Sequence, residues 1–206
     1  MIEYHKIQSV FKRDEKTHKF IDGTYSLPEF EYLQDNQWEW TEKIDGTNVR
    51  VGFGNGVVSF GGRTDNAQMP TFLLSRLQEL FTPQVLEIAF PDYTDVVLFG
   101  EGYGAKIQKG GGNYIPNGVD FILFDVNVGE WWLKREDVAD VAHKLAIRVV
   151  PTIGVGTLSM AVVTVQDGFD SQFGSFLAEG IVLRPCVELQ TRSGHRIITK
   201  MKHKDF

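Results

Sequence analysis

The chain has 206 residues, of which 42% are hydrophobic and 23% are charged, and its formal net charge at pH 7 is −6. This composition is close to the average for globular proteins and excludes disordered and collagen-like chains. The acidic balance also argues against a surface that grips phosphate backbones over its whole extent, so any contact with nucleic acid must be local.

The cysteine count and the apolar runs exclude further classes of protein. Cys186 is the only cysteine, so neither an intrachain disulfide nor a zinc site built from several thiolates can form. No apolar run approaches the roughly 18 residues that span a bilayer, and residues 1–10 lack the apolar stretch of a signal peptide. We therefore expect a cytoplasmic protein without membrane contact, with one domain over residues 1–206.

The first half of the chain is rich in strand signals. Short segments with β-branched and aromatic residues, mostly bounded by glycine, are typical of strands, and a helical pattern begins after Pro70. In chain order we predict three strands, a helix and a fourth strand, over Trp38–Ile44, Val49–Phe53, Val57–Phe60, Thr71–Phe81 and Val96–Glu101.

The second half alternates strands with helices. Gly129 predicts a turn from a buried strand into a short strand with Trp131 and Trp132, and Gly168 suits the end of a helix. The predicted elements are a strand, two helices and a further strand, over Phe121–Val126, Arg135–Ile147, Leu158–Val165 and Gly180–Arg184. The pattern indicates an α+β fold with mainly antiparallel sheets flanked by helices.

The segment Glu42-Lys43-Ile44-Asp45-Gly46-Thr47-Asn48 places a lysine at the end of an apolar strand, directly before a tight Asp-Gly turn. Such a turn exposes its neighbours, and an exposed lysine amine can act as a nucleophile. Taken alone, however, the pattern is more typical of a structural turn.

Four further segments follow in order and place carboxylates, aromatic rings or lysines on strands. Lys200 and Lys202 are two residues apart, so a strand would put both ammonium groups on one face, where a triphosphate could lie. The segments are Phe99-Gly100-Glu101-Gly102, Phe121-Ile122-Leu123-Phe124-Asp125-Val126, Glu179-Gly180-Ile181-Val182-Leu183-Arg184 and Ile198-Thr199-Lys200-Met201-Lys202.

Together the five segments resemble motifs I, III, IIIa, IV and V of the covalent nucleotidyltransferases, which comprise DNA ligases, RNA ligases and mRNA capping enzymes. Five motifs in the family's order are far more specific than any one of them. The resemblance implies the nucleotidyltransferase fold, the ATP-grasp-like adenylation domain of ligases. Gly62-Arg63-Thr64 also resembles the short arginine element that follows motif I in ligases.

The resemblance implies a three-step reaction that uses ATP. Lys43 would attack the α-phosphate, release pyrophosphate and hold AMP through a phosphoamide bond. The AMP would then pass to a 5′-phosphate, and a 3′-hydroxyl would attack that activated end. Lys200 and Lys202 would bind the α-phosphate and stabilise the charge that develops on its oxygens.

The matching motif positions imply roles for the carboxylates. Glu101 would hold the ribose hydroxyls, and Glu179 would support a divalent metal ion, Mg²⁺ or Mn²⁺, which prefers oxygen ligands. Glu42 would accept a hydrogen bond from the adenine amino group; the alternative is a solvent-facing strand residue.

The aromatic and basic residues complete the implied pocket. Phe121 would stack on adenine, with Phe124 as the alternative because strand parity puts it on the opposite face, and the other ring would belong to the core. Arg63 would contact the ribose or the substrate phosphate.

Asn48 narrows the choice within the superfamily. Gly46-Thr47-Asn48 resembles the double-strand-type RNA ligases of bacteriophages, whereas DNA ligases and capping enzymes typically have arginine at the position of Asn48. The substrate implied is RNA with 5′-phosphate and 3′-hydroxyl ends, in a nicked duplex.

Two alternatives remain open: a DNA ligase or capping-type transferase, and a non-catalytic module that binds nucleotide or RNA ends. Because no residue follows Phe206, we expect neither the oligonucleotide-binding domain nor the helical C-terminal domain of relatives. Three alternatives then remain open: a naturally minimal ligase, a chain that requires a partner domain or subunit, and a catalytic-domain fragment.

Overall fold

The computed structural model of the chain describes residues 1–93 and 95–206. The strands are β1 (Gln8–Ser9), β2 (Phe11–Arg13), β3 (Phe20–Tyr25), β4 (Trp38–Glu42), β5 (Thr47–Gly54), β6 (Val57–Gly61), β7 (Val96–Gly104), β8 (Val119–Val128), β9 (Trp131–Trp132), β10 (Arg148–Val149), β11 (Thr152–Gly156), β12 (Gly180–Pro185) and β13 (Thr199–Lys202). The α-helices are α1 (Pro28–Tyr32), α2 (Thr71–Leu80), α3 (Pro83–Ala89), α4 (Gly111–Tyr114), α5 (Arg135–Lys144) and α6 (Leu158–Asp167), and a 3-10 turn covers His203–Asp205. No helix among these residues is long and apolar enough to cross a membrane.

Every predicted strand and helix forms, so the α+β class with mainly antiparallel sheets is confirmed. Gly129 has a φ of +58° between β8 and β9, as the predicted turn requires. The helix α6 begins after Thr157, whose hydroxyl accepts a hydrogen bond from the Met160 amide, and it ends at Gly168 with a φ of +81°.

The chain forms two compact units: unit 1 contains Met1–His5 and Asp45–Val150, and unit 2 contains Lys6–Ile44 and Pro151–Phe206. Each unit has its own hydrophobic cluster. The assignment of residues 1–206 to a single nucleotidyltransferase domain stays a prediction.

Unit 1 is built on a sheet with the strand order β10-β8-β7-β5-β6, and β9 extends it beside β8. All these pairs are antiparallel except β10 with β8. Alternate residues of β5, Val49, Val51 and Phe53, belong to one buried cluster with side chains of α2, α3 and α5. One face of the sheet is therefore the core face, as the period of two in a strand requires.

The opposite face of the unit 1 sheet is covered by residues 1–5. The Tyr4 ring lies 5.0 Å from the ring of Phe99 and 5.1 Å from that of Phe124, between ring centroids. Its hydroxyl donates a buried hydrogen bond of 2.7 Å to Asp125 Oδ2. The N-terminal segment is thus an integral layer of this unit.

Unit 2 is built on a sheet with the order β1-β13-β12-β4-β11, which is antiparallel except for β1 with β13. Trp38 and Trp40 of β4 and Ile181 and Leu183 of β12 point into a core that α1 and α6 cover. Residues of the other parity, such as Lys200, lie on the opposite face.

A two-stranded hairpin, β2 with β3, belongs to the same unit. Arg13 forms a two-point ion pair with Asp205, with nitrogen to oxygen distances of 2.9 and 2.7 Å. Its guanidinium also lies 4.8 Å from the centre of the Phe20 ring. The hairpin is thereby tied to the 3-10 turn that follows β13.

Candidate active site

Lys43 follows the last residue of β4 and is held by both its backbone and its side chain. Its backbone amide donates to the Gly180 carbonyl over 2.9 Å, which continues the pairing of β4 with β12. Its Nζ lies 2.6 Å from Glu179 Oε2. The strand pairing therefore brings together two residues that are 136 positions apart in sequence.

Glu179 bridges two lysines. Its second oxygen, Oε1, lies 2.5 Å from Lys202 Nζ. The side chains of Lys43, Glu179 and Lys202 are 21%, 12% and 23% exposed, so the ion pairs are shielded and yet remain open to small solutes. Because one carboxylate serves two ammonium groups, the site retains positive charge.

Gly180 allows the close approach that this bridge needs. It begins β12 opposite Lys202, and its φ is +155°. A Cβ at this position would overlap the Met201 carbonyl oxygen and would lie 2.7 Å from the Lys202 Cα. Only glycine fits there without displacing β13.

Lys200 lies on the same face of β13 as Lys202, as predicted. Thr199 and Met201 are fully buried, whereas the two lysines are half-buried, so the strand alternates between the core and the open face. Lys200 pairs with Val182 across β12. We call Lys43, Lys200, Lys202 and Glu179 the lysine cluster; Glu179 contacts Lys43 and Lys202, and the excess of cations in this set suits a phosphate ligand.

Glu42 lies on the core side of β4 and is only 1% exposed. Its carboxylate accepts hydrogen bonds from the Ser171 hydroxyl at 2.5 Å and from the Gln172 amide at 2.9 Å. Burial raises the pKa of Glu42, and the two hydrogen bonds oppose this shift. The alternative of a solvent-facing residue is wrong; the contact with adenine stays a prediction.

Asn48 and Glu101 face each other directly on β5 and β7 of unit 1. Both are half-buried. The buried Oδ1 of Asn48 has no hydrogen-bond partner among the described residues, which leaves an acceptor for a ligand group. Gly46 packs against this pair, because a Cβ there would lie 2.7 Å from the Glu101 Cγ.

Phe121 and Phe124 occupy opposite faces of the unit 1 sheet, as strand parity predicted. Phe121 is 1% exposed and packs edge-on against Phe81, with ring centroids 5.1 Å apart. It thus lies in the core, opposite the face of Glu101, and the structure does not bring the two together. Stacking of Phe121 on adenine would require the ring to leave the core; Phe124 packs against Tyr4.

Arg63 is exposed in the loop that follows β6. Its side chain is available for an anionic ligand, and its role toward ribose or phosphate stays a prediction.

Glu179 supplies the carboxylate oxygens predicted to support a metal ion. No group of three or more histidine, cysteine, aspartate or glutamate residues is arranged to hold a metal in residues 1–93 and 95–206. Magnesium ions commonly bind through one or two carboxylates together with water and substrate phosphates. A single carboxylate beside a phosphate site fits that mode.

Comparisons with known proteins agree with the fold and the motifs. A family model described as RNA ligase matches residues 36–202. The chain is also similar to solved structures of a Naegleria gruberi RNA ligase. The ligase with pyrophosphate is 18% identical, with a TM-score of 0.70 over 98% of this chain and 56% of that one.

Two variants of the same ligase show the same likeness. One, with ATP and manganese, is 17% identical, with a TM-score of 0.69 over 98% of this chain and 56% of that chain. Another, with AMP and manganese, is 16% identical, with a TM-score of 0.70 over 100% and 59%. The chain thus spans little more than half the length of these ligases, and the likeness shows the fold. No curated protein matches by sequence.

Proposed function

Because this chain belongs to the RNA ligase family, we propose that it is an ATP-dependent RNA ligase that carries AMP on Lys43. The observation that carries the proposal is the Glu179 carboxylate bridging Lys43 and Lys202. This arrangement holds a lysine nitrogen beside a second cation and a metal-compatible carboxylate, on one open sheet face.

The first proposed step transfers AMP from ATP to the enzyme. Lys43 leaves its ion pair, loses a proton to solvent and attacks the α-phosphorus through Nζ. A phosphorus–nitrogen bond forms, the bond from the α-phosphorus to the bridging oxygen breaks, and pyrophosphate leaves. Lys200 and Lys202 stabilise the negative charge on the α-phosphate oxygens during this exchange.

Glu179 has two functions in this proposal. In the absence of nucleotide it pairs with Lys43 and Lys202; with nucleotide bound, its oxygens are available to Mg²⁺ or Mn²⁺. The metal ion would neutralise phosphate charge and make the α-phosphorus more electrophilic.

The later steps act on nucleic acid. A 5′-phosphate oxygen of RNA attacks the AMP phosphorus, and Lys43 leaves as an amine. A 3′-hydroxyl then attacks the activated 5′-phosphate, which forms the phosphodiester and releases AMP. Glu101 and Asn48 are assigned to the nucleotide ribose and the RNA steps respectively, and Arg63 to the ribose or the RNA phosphate.

Intact-mass spectrometry after incubation with ATP and Mg²⁺ tests the first step. Wild-type protein should gain the mass of one AMP, and Lys43→Ala should not. Lys144→Ala is a matched control, since Lys144 also forms an ion pair but lies on α5 of unit 1. Wild-type protein that neither gains AMP nor contains it from expression would contradict the proposal.

The same purified protein can be used to determine which nucleic acid and which nucleotide it prefers. Nicked RNA duplex, single-stranded RNA and nicked DNA, each with a 5′-phosphate, should be compared with ATP and with GTP. Sealing of nicked RNA with ATP is expected. Preference for nicked DNA or for GTP would instead indicate a DNA ligase or capping-type transferase. AMP transfer without sealing would indicate that sealing requires a further domain or subunit.

A further inference from the structure

Arg50 is a fully buried arginine in the middle of β5, with 0% of its side chain exposed. A guanidinium has five N–H donors and is always charged in proteins. Arg50 Nε donates to the Gly62 carbonyl over 2.7 Å, and Nη2 donates to Asp65 Oδ1 over 2.8 Å. Nη1 donates to the carbonyls of Met1 and Ile2 over 3.3 and 3.2 Å. We call this set the Arg50 network.

The fold leaves room for this side chain. Gly61 pairs with Arg50 across β5 and β6, and a Cβ on Gly61 would lie 3.2 Å from Arg50 Nη2. A buried charge costs stability unless its hydrogen bonds are satisfied, and a well-packed apolar residue often stabilises more. Removing the guanidinium alone would leave its carbonyl acceptors unpaired, so the feature that needs explaining is which segments its hydrogen bonds hold together.

The contacts of Arg50 converge on the loop that carries Arg63. Gly62 and Asp65 stand on either side of the Arg63-Thr64 pair, and Arg50 binds both. The Asp65 amide also donates to Glu3 Oε1 over 3.3 Å. The Gly62 end of the loop is thus tied to the sheet, and the Asp65 end is tied to the sheet and to the N-terminal segment, whereas Arg63 remains exposed.

We infer that Arg50 is a positioning residue, which holds the loop from Gly62 to Asp65 so that Arg63 meets a substrate phosphate or ribose. The inference rests on the proposed function, because it assigns Arg63 to the substrate. Arg50 itself touches no substrate, because its side chain is enclosed by protein. Asp65 is the exposed end of the same network, with 76% of its side chain exposed.

The test uses Asp65→Asn, because a substitution at buried Arg50 can prevent folding. Asp65→Asn removes the charge that orients Nη2 and changes a surface side chain. Glu79→Gln is the matched control, since Glu79 is 67% exposed and pairs with Arg76 in the same unit. Both variants are combined with Arg63→Ala, and the rates of AMP addition and of sealing are measured.

We expect Asp65→Asn to slow the step that Arg63→Ala slows, by about tenfold, because misplacement of a binding group reduces rates steeply. In the Arg63→Ala background the same change should have less than about a twofold effect, because the group being positioned is gone. Glu79→Gln should leave both rates unchanged. A purely structural role would lower the melting temperature and reduce the rates equally in both backgrounds.

Equal losses in both backgrounds, or full activity of Asp65→Asn, would overturn the inference, as would full activity of Arg63→Ala. None of these outcomes decides whether Lys43 accepts AMP, because that question is tested separately by the experiment on the proposed function. If wild-type protein adds no AMP, hydrogen exchange at residues 62–66 still decides. Faster exchange in Asp65→Asn than in Glu79→Gln supports the inference, and equal exchange overturns it.

Discussion

The lysine cluster of unit 2 and the Arg50 network of unit 1 both place positive charge on a sheet. They differ in how exposed that charge is and in which groups it contacts. Lys43 and Lys202 are 21% and 23% exposed and share one carboxylate. Arg50 is 0% exposed, and its donors are taken up mainly by main-chain carbonyls.

This difference indicates which charges are available for chemistry. A phosphate entering the lysine cluster can replace the Glu179 oxygens one for one, because solvent already reaches the pair. Nothing can replace the carbonyl partners of Arg50 without unfolding the loop. Charge that can exchange partners serves binding and catalysis, whereas charge bound to the backbone serves geometry.

Removal of the shared carboxylate should have the largest effect. In Glu179→Gln the side chain keeps its shape but loses the charge that pairs with Lys43 and that we propose supports a metal ion. We expect AMP addition to fall by about a thousandfold, while the free energy of unfolding changes by no more than about 1 kcal/mol. Intact-mass kinetics and urea unfolding would measure the two. A large loss of stability would show that the lysine cluster, like the Arg50 network, has mainly a structural role.

Under the proposed mechanism, Lys202→Met should lower AMP addition by about a hundredfold, because it removes one cation assigned to the α-phosphate and keeps the aliphatic part of the side chain. The measurement is the single-turnover rate at saturating ATP. An undiminished rate would mean that Lys202 pairs with Glu179 for structural reasons only.

Arg50→Met should instead act on folding. Removing the guanidinium leaves the Gly62 carbonyl and the N-terminal carbonyls without their donor, which should cost about 3 kcal/mol in the free energy of unfolding. Urea unfolding followed by circular dichroism would measure it. If the variant is as stable as wild type, the proposed contrast between exchangeable and fixed charge is wrong.

The Asn48→Ala variant tests whether unit 1 also contributes to the proposed ligation reaction. Its buried Oδ1 has no partner among the described residues, so we expect it to serve the RNA. Sealing should fall about tenfold more than AMP addition, as loss of one hydrogen bond to substrate predicts. Rates of the two reactions from one preparation provide the comparison, and equal losses would reject the assignment to the RNA steps.

The smallest effect should come from Glu42, which is buried and has no countercharge among the residues that the structure describes. Its raised pKa means that the folded state binds the proton more tightly than the unfolded state. Its contribution to stability is therefore complete below the ordinary glutamate pKa of about 4.3 and is lost as pH rises through the folded value.

Glu42→Gln removes this dependence. Relative to wild type, the variant should gain stability as pH rises through that window, by at most about 1.4 kcal/mol per pH unit. Denaturant unfolding of both proteins at a series of pH values measures it. A difference that stays constant with pH would show that burial does not perturb this carboxylate.

Much of the fold was predictable, because strands with clear alternation and glycine boundaries can be identified from the local sequence. The short strands Gln8–Ser9 and Phe11–Arg13 were missed, since two or three residues carry no measurable period. The pairing of Gln8–Ser9 also depends on a distant partner, because Ser9 aligns with Lys200 far along the chain.

The residues of the candidate site likewise fall into those that the sequence predicted and those that it missed. The resemblance of five ordered segments to the family's motifs predicted Lys43, Glu179, Lys200 and Lys202, and the structure places Glu179 against two of the lysines. Arg50 was missed because a charged residue in an alternating strand indicates the solvent side. Ser171 was missed because a lone serine 129 positions from Glu42 carries no local signal. Residues that lie in loops follow no periodic sequence pattern, so their contacts with distant residues cannot be predicted from such a pattern.

Gly180 shows how one backbone position can control the spacing of two strands and of the charges that they carry. A single added methyl group, as in Gly180→Ala, would keep every charged side chain in the sequence. The methyl would wedge the two neighbouring strands apart and carry the ammonium of Lys202 away from its carboxylate. The contact between the Lys202 ammonium and the Glu179 carboxylate therefore depends on the absence of a side chain at Gly180.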